Sequence, residues 1–210
     1  MTITSAEFVL GVSSLAIGKD GVTAQLPNQT LPEVIFLGRS NVGKSSLLNR
    51  VCGKKDLSQT SSSPSKHREV HYYLINRQMY FVDLPGYGYA KVPEQVRASW
   101  SSLIEAYLEL HRNVVLAVQI VDARQVPTEL DLMITGWLEY YHVPYIVVMT
   151  KADKIARSKL AMYVDQTRAA FARFRYIREL IPFSSVTGQG RQELLDAIAR
   201  HVLGSPSTSK

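Results

Sequence analysis

Cysteine is all but absent from this chain of 210 residues, where Cys52 stands alone. A single thiol excludes an internal disulfide and fits a reducing compartment, so the expected location is the cytoplasm. No apolar run is long enough to span a bilayer and no signal-peptide pattern opens the sequence, so no membrane partner is expected. His71, His111, His142 and His201 lack metal-ligand spacing, and Cys52 reads as a core residue. No internal repeat is found. Acidic side chains are in deficit, 18 against 24 basic ones, for a net charge of +6 and a pI near 9.4. That sign of excess favours a polyanionic partner, RNA above all. What is present in ordinary measure is a 46% hydrophobic and a 20% charged fraction. Those figures and the length suit one large or one-and-a-half small globular domains with a real core.

The most informative stretch is Gly38-Arg39-Ser40-Asn41-Val42-Gly43-Lys44-Ser45, which matches G-x-x-x-x-G-K-[ST] in full. Pro32 to Leu37 before it is apolar and strand-like, and Ser46 to Val51 after it reads as the first turns of a helix. A strand that feeds a glycine-bounded loop at a helix N-terminus aims several backbone N–H groups at one point, which makes an anion site. Lys44 can then reach the outer phosphates of a nucleoside triphosphate, and the Ser45 hydroxyl can ligate Mg²⁺.

The order of elements supports that reading. Residues 1–31 carry no catalytic motif and are read as an extension on the domain surface, with Phe8-Val9-Leu10 able to pair with a sheet edge. Residues 56–68 are serine-dense and lack an apolar period, as expected of a loop that senses a γ-phosphate. Val70–Ile75 and Gln78–Val82 read as strands joined by Asn76-Arg77. Helical spacing follows Pro93 through Leu108, and again over Thr128–Tyr141. Asn113–Val121 and Tyr145–Met149 read as strands buried on both faces. A basic helix around Arg157–Arg175 presents either a solvated face or an RNA surface. A last strand (Ile177–Phe183), a closing helix and a Ser/Pro-rich tail over 204–210 complete an α/β domain at 32–203, with a mostly parallel central sheet flanked by helices. Ligand loops then belong at the carboxyl ends of the strands.

Three further motifs fall at such ends. Asp83-Leu84-Pro85-Gly86 fits D-x-x-G: the carboxylate can hold Mg²⁺ through water, and the Gly86 N–H can bond the γ-phosphate. Thr150-Lys151-Ala152-Asp153 fits [NT]-K-x-D. Its carboxylate can accept from guanine N1–H and the exocyclic amine, a donor pair that adenine lacks, while the Lys151 stem packs along the base. Phe183-Ser184-Ser185-Val186 supplies backbone N–H groups for guanine O6, centred on Ser185. Asp122 and Arg124 read as a structural pair at a strand end. Together these predict a guanine-nucleotide switch rather than an ATP-using phosphotransferase.

The motifs also carry a family resemblance. Residues 38–49 resemble the translation-factor-related branch of small GTPases, and Asp-Leu-Pro-Gly-Tyr-Gly-Tyr-Ala-Lys-Val at 83–92 is similar to the hallmark of the EngB (YihA/YsxC) ribosome-biogenesis GTPases. Residues 121–128, 150–154 and 183–190 agree with it, so the resemblance spans nearly the whole chain. It implies a three-layer P-loop GTPase domain that binds GTP and GDP and hydrolyses GTP; Tyr87 in place of a Gln after D-x-x-G makes slow intrinsic turnover the expectation. It also implies a bacterial protein acting in assembly of the large ribosomal subunit, with a link to cell division. A monomer is expected. The site set is Gly38 through Ser46, Asp83, Gly86, Thr150, Lys151, Asp153, Ser184, Ser185 and Val186. Ser45 and Asp83 are assigned to Mg²⁺, and Lys44, Asn41 and Gly86 to catalysis. Asn41 matches the position where some related GTPases hold K⁺, a cap on the loop being the alternative.

One stretch departs from the family, and one residue departs from Ras-type enzymes. Where it reads Thr-Pro-Gly-Lys-Thr-Gln, this chain has Ser63-Pro64-Ser65-Lys66-His67-Arg68, and an imidazole is a poor ligand for Mg²⁺. Tyr87 stands where Ras-type enzymes place a water-orienting Gln. Both keep open a second reading, a nucleotide-dependent RNA- or ribosome-binding module with negligible hydrolysis.

Overall fold

The computed structural model describes residues 1–12, 17–18, 21–22, 27, 30–58, 69–88, 103–109 and 113–202. His67 and the rest of 59–68, the Tyr89-Ala90-Lys91 block, the start of the helix expected after Pro93, and the tail lie outside them. The described strands are β1 (Ala6–Val12), β2 (Ile17–Gly18), β3 (Gly21–Val22), β4 (Glu33–Gly38), β5 (Val70–Ile75), β6 (Met79–Asp83), β7 (Val114–Asp122), β8 (Tyr145–Thr150) and β9 (Ile177–Pro182). The described helices are α1 (Lys44–Cys52), α2 (Glu129–Tyr140), α3 (Arg157–Phe171) and α4 (Arg191–Val202), with a further helical stretch at 103–109.

Seven strands form one sheet in the order β1-β5-β6-β4-β7-β8-β9, with β2 and β3 paired apart from it. β5 pairs antiparallel with β1 and β6, β2 pairs antiparallel with β3, and the remaining pairs of the large sheet are parallel. The chain leaves β4 toward β5 and β6 on one side and resumes at β7 on the other. A crevice therefore opens at the carboxyl end of β4, where this class of sheet binds ligands. The apolar run at Phe8–Leu10 does pair with a sheet edge, and the pairing extends over Ala6–Val12. Arg178 and Glu179, which interrupt the last strand in sequence, are accommodated because β9 lies at the opposite edge and leaves Arg178 exposed.

Alternation along the strands divides the core into two apolar layers. Val34 and Phe36 point to one face, where Leu47, Leu48 and Val51 of α1 and Leu194, Leu195 and Ile198 of α4 cover them. Ile35 and Leu37 point to the other, beneath Ile104, Tyr107, Ile134, Leu138 and Phe171. Helices on both faces of a mostly parallel sheet give the three expected layers. Cys52 is buried in the first of them, and burial pushes its thiol up to about 12, which makes it a packing residue.

Candidate functional site

The loop after β4 is held in a shape that most side chains resist. Asn41 has φ 62° and Gly43 φ 106°, and a left-handed backbone at the second suits glycine. The Val42 N–H closes a turn on the Arg39 carbonyl at 3.1 Å, and the Leu47 N–H begins the ladder of α1 on the Gly43 carbonyl at 2.9 Å. The early N–H groups of α1 therefore face the loop without intrahelical partners, the arrangement that receives an anion. No side chain caps this helix start.

Asp83 ends β6, directly beside β4, because the register pairs Phe36 with Asp83. It is buried, and Lys44 forms an ion pair with its Oδ1. Ser58 donates to Oδ2 of the same carboxylate at 3.3 Å. Gly86 follows in a close approach: a Cβ there would stand 3.3 Å from Ser40 Oγ and 3.4 Å from Ser40 Cα. Lys44, Ser45, Asp83, Gly86, Ser58 and Tyr73 line a common cavity of about 430 Å³. A hydroxyl, a carboxylate and an ammonium group on one small cavity suit a phosphate with a hard cation.

Tyr87 turns away from that cavity. Its backbone bridges to Arg39, with Ser40 N–H on the Tyr87 carbonyl at 2.8 Å. Its hydroxyl donates to Asp131 Oδ1 of α2 at 2.9 Å in the interior. Burial, and then the Asp131 carboxylate, raise this phenol well above its ordinary range, so it stays a donor.

At the other end of the crevice, β8 carries the third motif. Thr150 is buried, and its hydroxyl donates to the Val42 carbonyl at 2.6 Å with the Val121 carbonyl at 3.0 Å. The first residue of the motif thus grips the phosphate loop. Lys151, with φ 61°, sends its ammonium back to the Asn41 carbonyl at 2.8 Å and to Asp122 Oδ2 at 2.9 Å. Asp153 Oδ1 accepts from Ser184 Oγ at 2.6 Å, and this bond holds its carboxyl below the usual carboxylate range. The Ser184 hydroxyl in turn accepts from the Thr187 N–H at 3.1 Å, and the Gly188 N–H closes the loop on the Ser184 carbonyl at 2.8 Å. Ser185 is half-buried and Val186 exposed at the loop's rim.

Every sequence-predicted site residue therefore lies at or just beyond the carboxyl end of a parallel strand or in the first turn of α1. Asp122 does more than its expected pairing with Arg124. Burial raises its carboxyl, yet hydrogen bonds from Arg124 and Lys151 outweigh that and hold it at about 2. The signal was available, since neighbouring parallel strands end level and the register pairs Asp122 with Thr150. Ser58, on Asp83, had no signal beyond serine richness.

This geometry agrees with known proteins. The family model described as "50S ribosome-binding GTPase" matches residues 33–151. A "Probable GTP-binding protein EngB" from Heliobacterium modesticaldum is 42% identical over 198 residues, covering 94% of this chain and 92% of that one. Its namesake from Pelotomaculum thermopropionicum is 42% identical over 202 residues, with 96% and 98% covered. The chain belongs to the EngB family of GTPases. Among solved structures, "a probable GTP-binding protein engB" superposes with a TM-score of 0.71 at 23% identity, covering 82% of this chain and 100% of that one. Era in complex with MgGDPNP and nucleotides 1506–1542 of 16S ribosomal RNA gives 0.64 at 22%, with 86% and 59% covered. At those identities the two structures bear on fold alone. Membership in the EngB family makes GTP or GDP the expected occupant of the crevice. No helix among the described residues is long and apolar enough to cross a membrane.

Proposed function

We propose that this protein is a GTP-hydrolysing switch that works in the cytoplasm on the large ribosomal subunit or its precursor. The reading is supported by the Asp153–Ser184 bond, which fixes a carboxylate in the loop after β8, where a purine edge would meet it. An ionised carboxylate only accepts, so it selects guanine N1–H and N2–H₂ against adenine. The Lys151–Asn41 link ties this base reader to the phosphate loop.

In this reading Gly38 through Ser46 wrap the phosphates with backbone N–H groups, and Lys44 neutralises the outer ones. Ser45 and Asp83 supply hard oxygen donors that fit Mg²⁺. Among the described residues no three His, Cys, Asp or Glu cluster as a metal site; phosphate oxygens and water would supply further hard donors. The bound ion supplies positive charge against the β- and γ-phosphates. Lys44 exchanges Asp83 for phosphate when nucleotide enters, and the Gly86 N–H then reports the γ-phosphate. Asn41 is exposed on the loop, where its side chain would be the K⁺ ligand; faster turnover in K⁺ than in Na⁺ supports that role, and equal rates remove it.

A second reading has one observation in its favour. Tyr87 is committed to Asp131, so its hydroxyl does not serve as the water-orienting group. A binding module with negligible intrinsic turnover follows from that. Multiple-turnover hydrolysis, GTP against ATP, separates the two. Co-sedimentation with purified large subunits, comparing GDP with a non-hydrolysable GTP analogue, tests the partner. Pelleting with the analogue alone supports the switch, and no pelleting with either overturns the ribosomal assignment.

A further inference from the structure

We propose that the groove between the C-terminus of α1 and the start of α4 docks the phosphate backbone of RNA. This rests on the ribosomal reading above and names the surface that would make the contact. The groove is lined by the basic residues Arg50, Lys54, Lys55 and Arg191, with a volume of about 750 Å³. Its remaining lining residues are Ser46, Asn49, Gly53, Ser185 and Val186, so no carboxylate lines it. Asp56 and Glu7 lie beyond it, on the far side of Lys54 and Lys55.

The backbone that presents these charges is fixed. Gly53, at φ 66°, and Lys54 close the end of α1 in a paired cap: Gly53 N–H reaches the Arg50 carbonyl at 3.3 Å and Lys54 N–H the Asn49 carbonyl at 3.0 Å. The Asn49 amide then donates to the Lys55 and Ser58 carbonyls, each at 2.9 Å, and its oxygen accepts from Ser58 N–H at 2.7 Å. Arg191 caps α1 from α4, with bonds to the Arg50 and Val51 carbonyls at 2.8 and 2.9 Å. Its guanidinium thus spends donors on structure, whereas Arg50, Lys54 and Lys55 form no ion pair with a described carboxylate.

The competing basic surface is α3 with the turn that follows it, where Arg168 is paired with Asp165 at 2.7 Å and Arg173, just past the helix, stacks on Phe174 at 4.9 Å. Unpaired cations on a rigid concave surface match a polyphosphate better than partly neutralised ones on a convex helix. Ser185 and Val186 lie in both the groove and the guanine loop, so RNA held here sits beside the nucleotide.

The test compares the full chain with Lys54→Ala/Lys55→Ala, using a fluorescein-labelled RNA hairpin over a salt series and sedimentation with purified large subunits. A fluorescent GDP titration checks that each variant still binds nucleotide. We expect RNA affinity to fall about tenfold and the salt slope to fall by about 2, with GDP affinity unchanged. An Arg157→Ala/Lys159→Ala control on α3 should stay within about twofold of the parent. An unchanged slope and affinity in the groove variant, while the parent still binds RNA, overturns the groove and leaves the ribosomal reading standing. A parent that binds an acidic peptide here but no RNA also overturns it. If the parent binds neither hairpin nor subunits, the ribosomal reading falls and takes this one with it.

Discussion

The two ends of the crevice are built differently. At the end proposed to read guanine, side chains lock the motifs to one another: Thr150 to Val42, Lys151 to Asn41 and Asp122, and Asp153 to Ser184. At the phosphate end, Lys44 and Asp83 share one ion pair, with Ser58 bonded behind it. A base must be read identically in the GTP and GDP states, so its reader gains from rigidity. A γ-phosphate must be sensed as present or absent, so its sensor needs partners that can be exchanged. Breaking each set should therefore produce different losses.

The largest loss should follow Lys44→Ala. It removes the cation proposed to meet the outer phosphates and leaves Asp83 buried without its ion-pair partner. We expect affinity for fluorescent GDP to fall about a hundredfold, about 3 kcal/mol. A loss under tenfold would mean that the backbone N–H groups of the loop hold the phosphates alone.

Asp153→Asn comes next and acts on specificity. Asparagine still offers an oxygen to Ser184, so the loop should keep its shape. Its amide nitrogen now donates, and it meets the guanine N1–H donor face to face. GTP affinity should fall tenfold or more, on the scale of about 1–3 kcal/mol for an unpaired buried donor, while XTP becomes the better ligand. Competition between the two nucleotides measures this directly. Unchanged preference would remove Asp153 as the base reader.

Most of this architecture was legible in the chain before any coordinates, for identifiable reasons. Motifs with strict spacing impose their own geometry, so a helix was expected directly after the loop; it begins at Lys44, two residues before the Ser46 read from the sequence. Buried parallel strands announce themselves as unbroken apolar runs, as in Val147 to Met149. What escaped was side-chain traffic between loops distant in sequence. Thr150 and Val42 are 108 residues apart, and only the strand order brings them together. The same holds for Tyr87 and Asp131, whose bond depends on how α2 packs. Edge strands were also harder: β1 alternates only loosely and exposes Phe8 and Val9.

Asp122→Asn should have a moderate effect with a pH signature. In the folded chain this carboxyl sits at about 2, against an ordinary value of 3.8. A depressed folded value means that its stabilisation is complete above about pH 4 and is lost as the pH falls toward 2. Its partners are partly open to water, Lys151 at 28% and Arg124 at 52% exposure. Screening therefore reduces the effect to about 1 kcal/mol, or about 3 °C in melting temperature at neutral pH. Melting curves of parent and variant should converge between about pH 4 and pH 2. Parallel curves over that range would show that the Lys151 link does not depend on this charge.

The smallest effect should belong to Tyr87→Phe, and its smallness is informative. The phenol is buried and lies behind the phosphate loop, so its hydroxyl touches Asp131 and never faces the cavity. Removing it leaves Asp131 with the Thr128 N–H at 2.8 Å and the Thr128 hydroxyl at 2.7 Å, so the carboxylate is not orphaned. The cost should be about 1 kcal/mol of stability, with GTP affinity and turnover within about twofold of the parent. A large fall in turnover with intact affinity would place the Tyr87 hydroxyl in the reaction. The phosphate end would then be wired to α2 as firmly as the guanine end is wired to its own loops, and the contrast between a rigid reader and an exchangeable sensor would not hold.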